Sequence, residues 1–380
     1  MTLSRREFCL HAAAASSLLT VLKSQARAHA MENMGLKDLY KNDFRIGTAI
    51  SNLTLQQNNG VMLGLIAKEF NAISPENCLK WGQVHPDANH WEWELPDRFV
   101  QFGLDHKMFI LGHTLVWHSQ VARNLFMDAS GGVVSREVLL KRMEDHIRTL
   151  VGRYKGKVTA WDVVNEAVDE DKGWRKSPWF NGIGPEYLEK AFHLAHEVDG
   201  KAQLLYNDYN MHNPKKAEFV AEFVRDFKKR GVPIHGVGMQ GHEGLDYSSI
   251  EALEASILLF AKAGVRVHIT ELDVDVLPRK EQSTTAEVST RYEYADALNP
   301  WPKGLPEEMG KRLAKRYEDL FRLFLKHRDK IDRVTTWGTS DDESWKNNFP
   351  IPGRTNYPLL FDRQKQRKAA YYAVAALKKP

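Results

Sequence analysis

The sequence predicts one α/β domain folded as a (β/α)8 TIM barrel, and three observations carry that prediction. Runs of strand length, rich in β-branched and aromatic residues, alternate with helical patterns until eight such units are complete. After the first run, Gly47-Thr48-Ala49-Ile50-Ser51-Asn52 supplies no Gly-rich phosphate turn, which a doubly wound open sheet would require. Polar and aromatic residues collect at the carboxyl ends of nearly every run, the place where barrel chemistry sits.

In chain order, Ser4-Arg5-Arg6-Glu7-Phe8-Cys9-Leu10, the apolar run Ala12–Leu22 and the small-residue site Ala28-His29-Ala30 form a twin-arginine export signal. Residues 1–30 are therefore excluded from the fold, and the catalytic domain is expected over 31–380. Strands are expected at Phe44–Ala49, Phe70–Ser74, Met108–Gly112, Val158–Asn165, Gln203–Tyr206, His235–Met239, Val265–Thr270 and Val334–Trp337. Helical periodicity is clearest over Ser135–Arg153, Pro185–Val198, Lys215–Lys229, Ser249–Ala263, Glu307–Lys326 and Gln366–Lys378. It is weaker over Gln57–Lys68 and Pro96–His106. Ser135, Pro214 and Pro306 sit where helices start, and the basic stretch Lys365–Lys368 is most simply a solvated helix start.

Charge and cysteine content narrow the function classes. The formal net charge is +4, and removing the export signal takes away a net +3, leaving +1. So neutral a surface gives no electrostatic footprint for nucleic acid or anionic lipid, and no membrane association is expected of the mature form. Cys9 leaves with the signal, so Cys78 is alone and is assigned to core filling. About 350 residues without a disulfide must rely on one large buried core. A monomer is expected, working in the periplasm or secreted, with the twin-arginine export machinery as its one protein partner.

The chemistry is sought at the strand ends. Val158–Glu170 breaks from a buried run into Asn165-Glu166, and Val265–Val274 puts Glu271 at the matching place. One strand-end glutamate is most often a surface ion-pair partner. Two, each closing its own buried strand among Trp, Asn, Gln and His, suit glycoside hydrolysis, which needs one carboxyl protonated and one ionised. Glu166 follows an apolar run that favours the protonated form. Glu271 has Asp273 two residues on, so two acids share a strand face and need a hydrogen-bonding mediator, for which His242 is the candidate. Trp81, Trp117, Trp337 and Trp345 follow strand ends and could stack on sugar faces, with Asn77, Lys80, His113, Gln120 and Gln240 nearby. Mid-strand Trp161 is assigned to packing; Trp91, Trp93, Trp174 and Trp179 stay unassigned. His113 and His118 lack metal-ligand spacing, and neither HExxH nor paired cysteines occur, so no metal or other cofactor is expected.

Taken together, SPENCLKW, GHTLVWHSQ, WDVVNEA, LLYNDYN, GMQGH, ITELDV and WGTSDDESW resemble, in order, the strand-end motifs of glycoside hydrolase family 10, the endo-β-1,4-xylanases. The resemblance spans essentially the whole mature chain. It implies retaining double displacement on xylan and xylo-oligosaccharides, with Glu166 as acid/base and Glu271 as nucleophile. It further implies that His242 and Asp273 support Glu271, and that Asn165 binds the 2-hydroxyl of the sugar being cleaved. His113, Trp117, Gln240, Trp337 and Trp345 would line that subsite, and Glu76, Asn77, Lys80 and Gln120 would hold the next xylose outward. Asp208 is expected to support the mouth. After WHSQ, family members usually continue with proline and tryptophan; Val121-Ala122-Arg123-Asn124-Leu125-Phe126 departs from this, which bears on the leaving-group side. Another β-1,4-glycanase of the same barrel class, or a non-catalytic xylan-binding barrel, are the alternatives.

Overall fold

In the computed structural model, residues 34–171, 173–278 and 292–378 are described; the expected export signal lies outside them. Eight parallel strands form the barrel: β1 Arg45–Ile50, β2 Ala72–Pro75, β3 Phe109–Val116, β4 Ala160–Asn165, β5 Gln203–Asp208, β6 Gly236–Met239, β7 Arg266–Asp275 and β8 Ile331–Thr336. Each strand pairs with the next, and β8 pairs back to β1 with Gly47 opposite Thr335, so the sheet closes without an edge.

Alternation along the strands separates two cores. Outward-facing residues pack against the surrounding helices and form the large cluster that includes Ile46, Trp161, Tyr206, Val237 and Phe324. Inward-facing Ala72, Phe109, Leu111, Ala160 and Leu205 make a small apolar floor inside the barrel. Above that floor the inward positions turn polar, and this change of character along each strand places the site. Trp161 is fully buried, in keeping with a packing role, and it fits because Gly112 opposite has no side chain; a Cβ there would lie 2.1 Å from the indole.

Helices begin where local chemistry directs. Ser135 accepts a hydrogen bond from Val138 N at the head of Arg136–Arg153, and Asn213 caps Pro214–Arg230 with proline in the first turn. Two expected helices begin slightly later and are each preceded by a separate short helix: Gln57–Lys68 is observed as Gly60–Glu69 after Asn52–Gln56, and Pro185–Val198 as Tyr187–Val198 after Pro178–Ile183. The breaks fall at Asn58, with φ 46°, and at Gly184, with φ 96°, both outside right-handed helical space. The last helix, Ala369–Ala376, corrects the expectation for Lys365–Lys368. Lys368 is not solvated: its Nζ donates to Asp341 Oδ2 at 2.8 Å, Tyr357 O at 2.8 Å and Leu359 O at 2.7 Å.

β7 also differs from expectation in a way that matters. It does not end at Thr270 but continues to Asp275, because a short strand His242–Gly244 pairs with Asp273–Asp275. Glu271 therefore stands within a strand, held by backbone on both sides, where the sequence suggests a strand end.

Candidate active site

Glu166 follows β4 directly, in left-handed backbone with φ 56°. Its side chain is turned into the barrel mouth. Trp117 Nε1 donates to Oε2 at 2.8 Å, and Gln240 Nε2 donates to Oε1 at 3.0 Å. Burial raises the Glu166 pKa and the Asp208 charge adds to it, against the opposing pull of His118, Gln240 and Arg175. This carboxyl is poised to hold a proton.

Glu271 lies in an opposite environment. Asn207 Nδ2 donates to Oε1 at 2.7 Å, and His242 Nε2 stands 3.2 Å from Oε2. The other nitrogen of His242 is 3.1 Å from Asp273 Oδ2, which also accepts Trp345 Nε1 at 2.7 Å. The mediator expected between the two acids is thus in place. Burial alone would raise the Glu271 pKa; the His242 hydrogen bond, the charges of His113 and His242, and the Asn207 amide outweigh it and bring the pKa down. His242 itself is pushed up to about 9: burial opposes this, and Asp273 and Glu271 prevail. An imidazolium clamped between two carboxylates keeps both ionised.

The two glutamates share one network. Asn207 Nδ2 also donates to Asn165 Oδ1 at 2.9 Å, and Gln240 Nε2 stands 3.4 Å from that same oxygen. A chain of amides therefore links Glu271 to Glu166. Asn165 Nδ2 is left as a buried donor with no partner among the described residues, available to a hydroxyl of a bound molecule.

Around this centre, His113 Nδ1 is 2.9 Å from Asp162 Oδ2, and its ring meets Trp337 edge-on at 5.4 Å. Lys80 Nζ donates to Asn77 Oδ1 at 3.0 Å and lies 5.3 Å from the centre of the Trp117 ring. Burial raises the Glu76 pKa and lowers that of Lys80, each opposed by the other's charge. Of the expected site residues, Gln120 is the one set apart. Its side chain is exposed at the rim, and its carbonyl accepts Gly82 N at 2.8 Å. Trp81 is no open platform, because His146 covers its ring at 3.7 Å and 5°. Trp179 serves as support, donating Nε1 to Trp117 O at 2.7 Å. The departing loop is docked as well: Leu125 is buried, Phe126 packs edge-on against Trp179, and Arg142 Nη1 donates to Leu125 O at 2.6 Å.

Two functional residues escape sequence reasoning. Asn207 joins Glu271 to Asn165, and a Cβ on the facing Gly238 would lie 2.2 Å from its Oδ1, so that glycine makes room for it. Asp162 orients His113 from the middle of β4. An aspartate in a run of buried β-branched residues was the available signal, since such a charge is kept only with a partner. Among the described residues, no group of three or more His, Cys, Asp or Glu is arranged to hold a metal ion.

Comparison with known proteins decides the family. Residues 35–377 match the sequence profile of Glycosyl hydrolase family 10. The chain belongs to glycoside hydrolase family 10. Endo-1,4-beta-xylanase A of Xylanibacter ruminicola is 42% identical over 341 residues, covering 90% of this chain and 92% of that protein. A GH10 endoxylanase retrieved from a sugarcane soil metagenome has a solved structure with TM-score 0.88 and 57% identity, covering 90% of this chain and 100% of that one. Xylanase XynB from Paenibacillus barcinonensis, solved with a conduramine derivative, has TM-score 0.81 and 38% identity over 90% of this chain and 98% of that one.

Proposed function

We propose that this family 10 protein is an endo-1,4-β-xylanase that cleaves bonds within xylan by retaining double displacement. Glu166 gives its proton to the glycosidic oxygen as Glu271 attacks the anomeric carbon. The C–O bond to the leaving chain breaks and a glycosyl ester forms on Glu271. Glu166, now ionised, takes a proton from water, which attacks the same carbon and frees Glu271. The observation that carries this reading is the opposed environment of the two carboxyls. Burial pushes the pKa of one upward, and His242 and Asn207 bring that of the other down. Asn165 Nδ2, buried and without a partner among the described residues, is a donor suited to the 2-hydroxyl of the sugar in the cleaved subsite.

Anomeric analysis of fresh product from xylo-oligosaccharides tests the reading, with xylan and carboxymethyl-cellulose compared as substrates. Net retention at an internal bond, with xylan preferred, is the expected result. Faster turnover of cellulose would favour another β-1,4-glycanase, and binding without turnover a non-catalytic barrel. Export by the twin-arginine route to the periplasm or beyond rests on Arg5 and Arg6 ahead of the apolar run. Replacing both by lysine should leave the enzyme in the cytoplasm; unchanged export would contradict this.

A further inference from the structure

Against the Glu166–Ala167 turn lies a second cluster of titratable groups that the proposed displacement does not use. Lys216 and Asp208 form an ion pair with no exposed side-chain surface, Nζ to Oδ1 at 2.7 Å. The other carboxylate oxygen of Asp208 accepts the hydroxyl of Tyr206. That hydroxyl in turn accepts Ala167 N at 3.1 Å, the backbone amide immediately after Glu166. Tyr209 N adds a hydrogen bond to Asp208 Oδ1 at 2.9 Å. Lys216 comes from the first turn of Pro214–Arg230, and Tyr206 and Asp208 come from β5.

This chain ends where the backbone is least comfortable. A non-glycine residue in left-handed conformation holds there only when its surroundings pin it. Glu166 N donates to Asn207 O at 2.9 Å, and Arg175 N donates to Ala167 O at 2.8 Å. Arg175 Nε donates to Glu166 O at 2.9 Å. The Tyr206 hydroxyl fixes the one remaining polar group of the Glu166–Ala167 turn.

We propose that Tyr206, Asp208 and Lys216 are positioning residues for the acid/base: a buried relay that locks the turn carrying Glu166 and holds the Asp208 carboxylate in place. The inference rests on Glu166 acting as the acid/base. The groups facing Glu166 are Asp208 from β5, Arg175 after β4, His118 after β3, Lys80 after β2, and Tyr209. Those facing Asp208 are Lys216, Tyr206, Tyr209, Tyr187 and Arg175. Of the causes acting on Glu166, burial and Asp208 are the two that favour its protonated form.

The test separates leaving groups by their need for acid assistance. A dinitrophenyl β-xylobioside leaves without a proton, whereas xylan does not. Glu166→Ala should collapse xylan turnover and spare glycosylation from the aryl substrate. Tyr206→Phe should do the same at smaller amplitude, roughly tenfold on xylan and near unity on the aryl glycoside. Tyr40→Phe removes a comparable buried hydrogen bond far from the site, Tyr40 OH to Val374 O at 2.8 Å, and should leave that ratio unchanged. Asp208→Asn should move the basic limb of the xylan pH profile down by about one pH unit. If that single variant does not fold, the substrate ratio of Tyr206→Phe carries the test by itself. Equal loss on both substrates in Tyr206→Phe, or an unmoved basic limb, overturns the relay while Glu166 keeps its role. Full xylan activity in Glu166→Ala overturns both.

Discussion

Asn207 donates to Glu271 Oε1 at 2.7 Å, and with the same amide nitrogen it reaches Asn165 at 2.9 Å. Thr270 Oγ1 donates to Asn207 Oδ1 at 2.7 Å, which fixes the amide with its nitrogen toward the acid. The register that aligns Asn165 with Asn207 across β4 and β5 makes this contact possible. Replacing Asn207 by alanine removes a hydrogen bond to a charged group, so kcat/KM should fall roughly tenfold to a hundredfold. Because Asn207 lowers the Glu271 pKa, the acidic limb of the pH profile should also move upward. A rate loss with an unmoved acidic limb would show that Asn207 acts on shape alone.

The His242 clamp makes stability depend on pH. Its folded pKa is raised to about 9 from 6.5. A histidine raised in this way contributes stability that is fully present below about pH 6.5 and is lost as pH rises through about 9. Glu271 and Asp273 are lowered, so their contributions are present above the unfolded carboxyl range and are lost as pH falls through their folded values. Thermal unfolding should therefore show a falling Tm between about pH 6.5 and 9, and His242→Gln should flatten that decline.

Much of the site is legible in the sequence because each barrel strand ends at the same mouth. Glu166, Gln240, His242 and Trp345 could be brought together from strand order alone. What is not legible depends on lateral register or on distant covering groups. Asn207 matters because it sits opposite Asn165, a fact of pairing and not of motif. Trp81 follows a strand end like Trp117, yet His146 from helix Arg136–Arg153 covers its face. Lys368 lies in a basic stretch with the composition of a solvated turn, and only the folded chain brings Asp341 beneath it.

That last pair gives a prediction about stability. The Asp341 side chain is fully buried and that of Lys368 is 13% exposed. Lys368→Met leaves a buried carboxylate unpaired and should cost about 3–5 kcal/mol, measured by urea unfolding. Specific activity of the folded fraction should remain unchanged, because neither group belongs to the glutamate network. A loss well under 1 kcal/mol would mean that solvent reaches Asp341.

Glu166→Ala offers a chemical check on the division of labour. With the acid/base gone, deglycosylation of an activated aryl xylobioside lacks its base, and a small anion that needs none should substitute for water. Added azide should accelerate turnover at least tenfold and yield a β-configured xylobiosyl azide. Failure of azide to rescue would place the proton transfer on another residue.

The double displacement itself is tested most directly by trapping its covalent species. A 2-fluoro-xylobioside with an activated leaving group slows both steps and the second more, so the ester accumulates. Mass spectrometry of the digested, labelled enzyme should find one adduct, a single 2-fluoro-xylobiosyl group esterified to Glu271. Stoichiometric labelling of any other carboxylate, or full inactivation without a covalent adduct, would contradict the account.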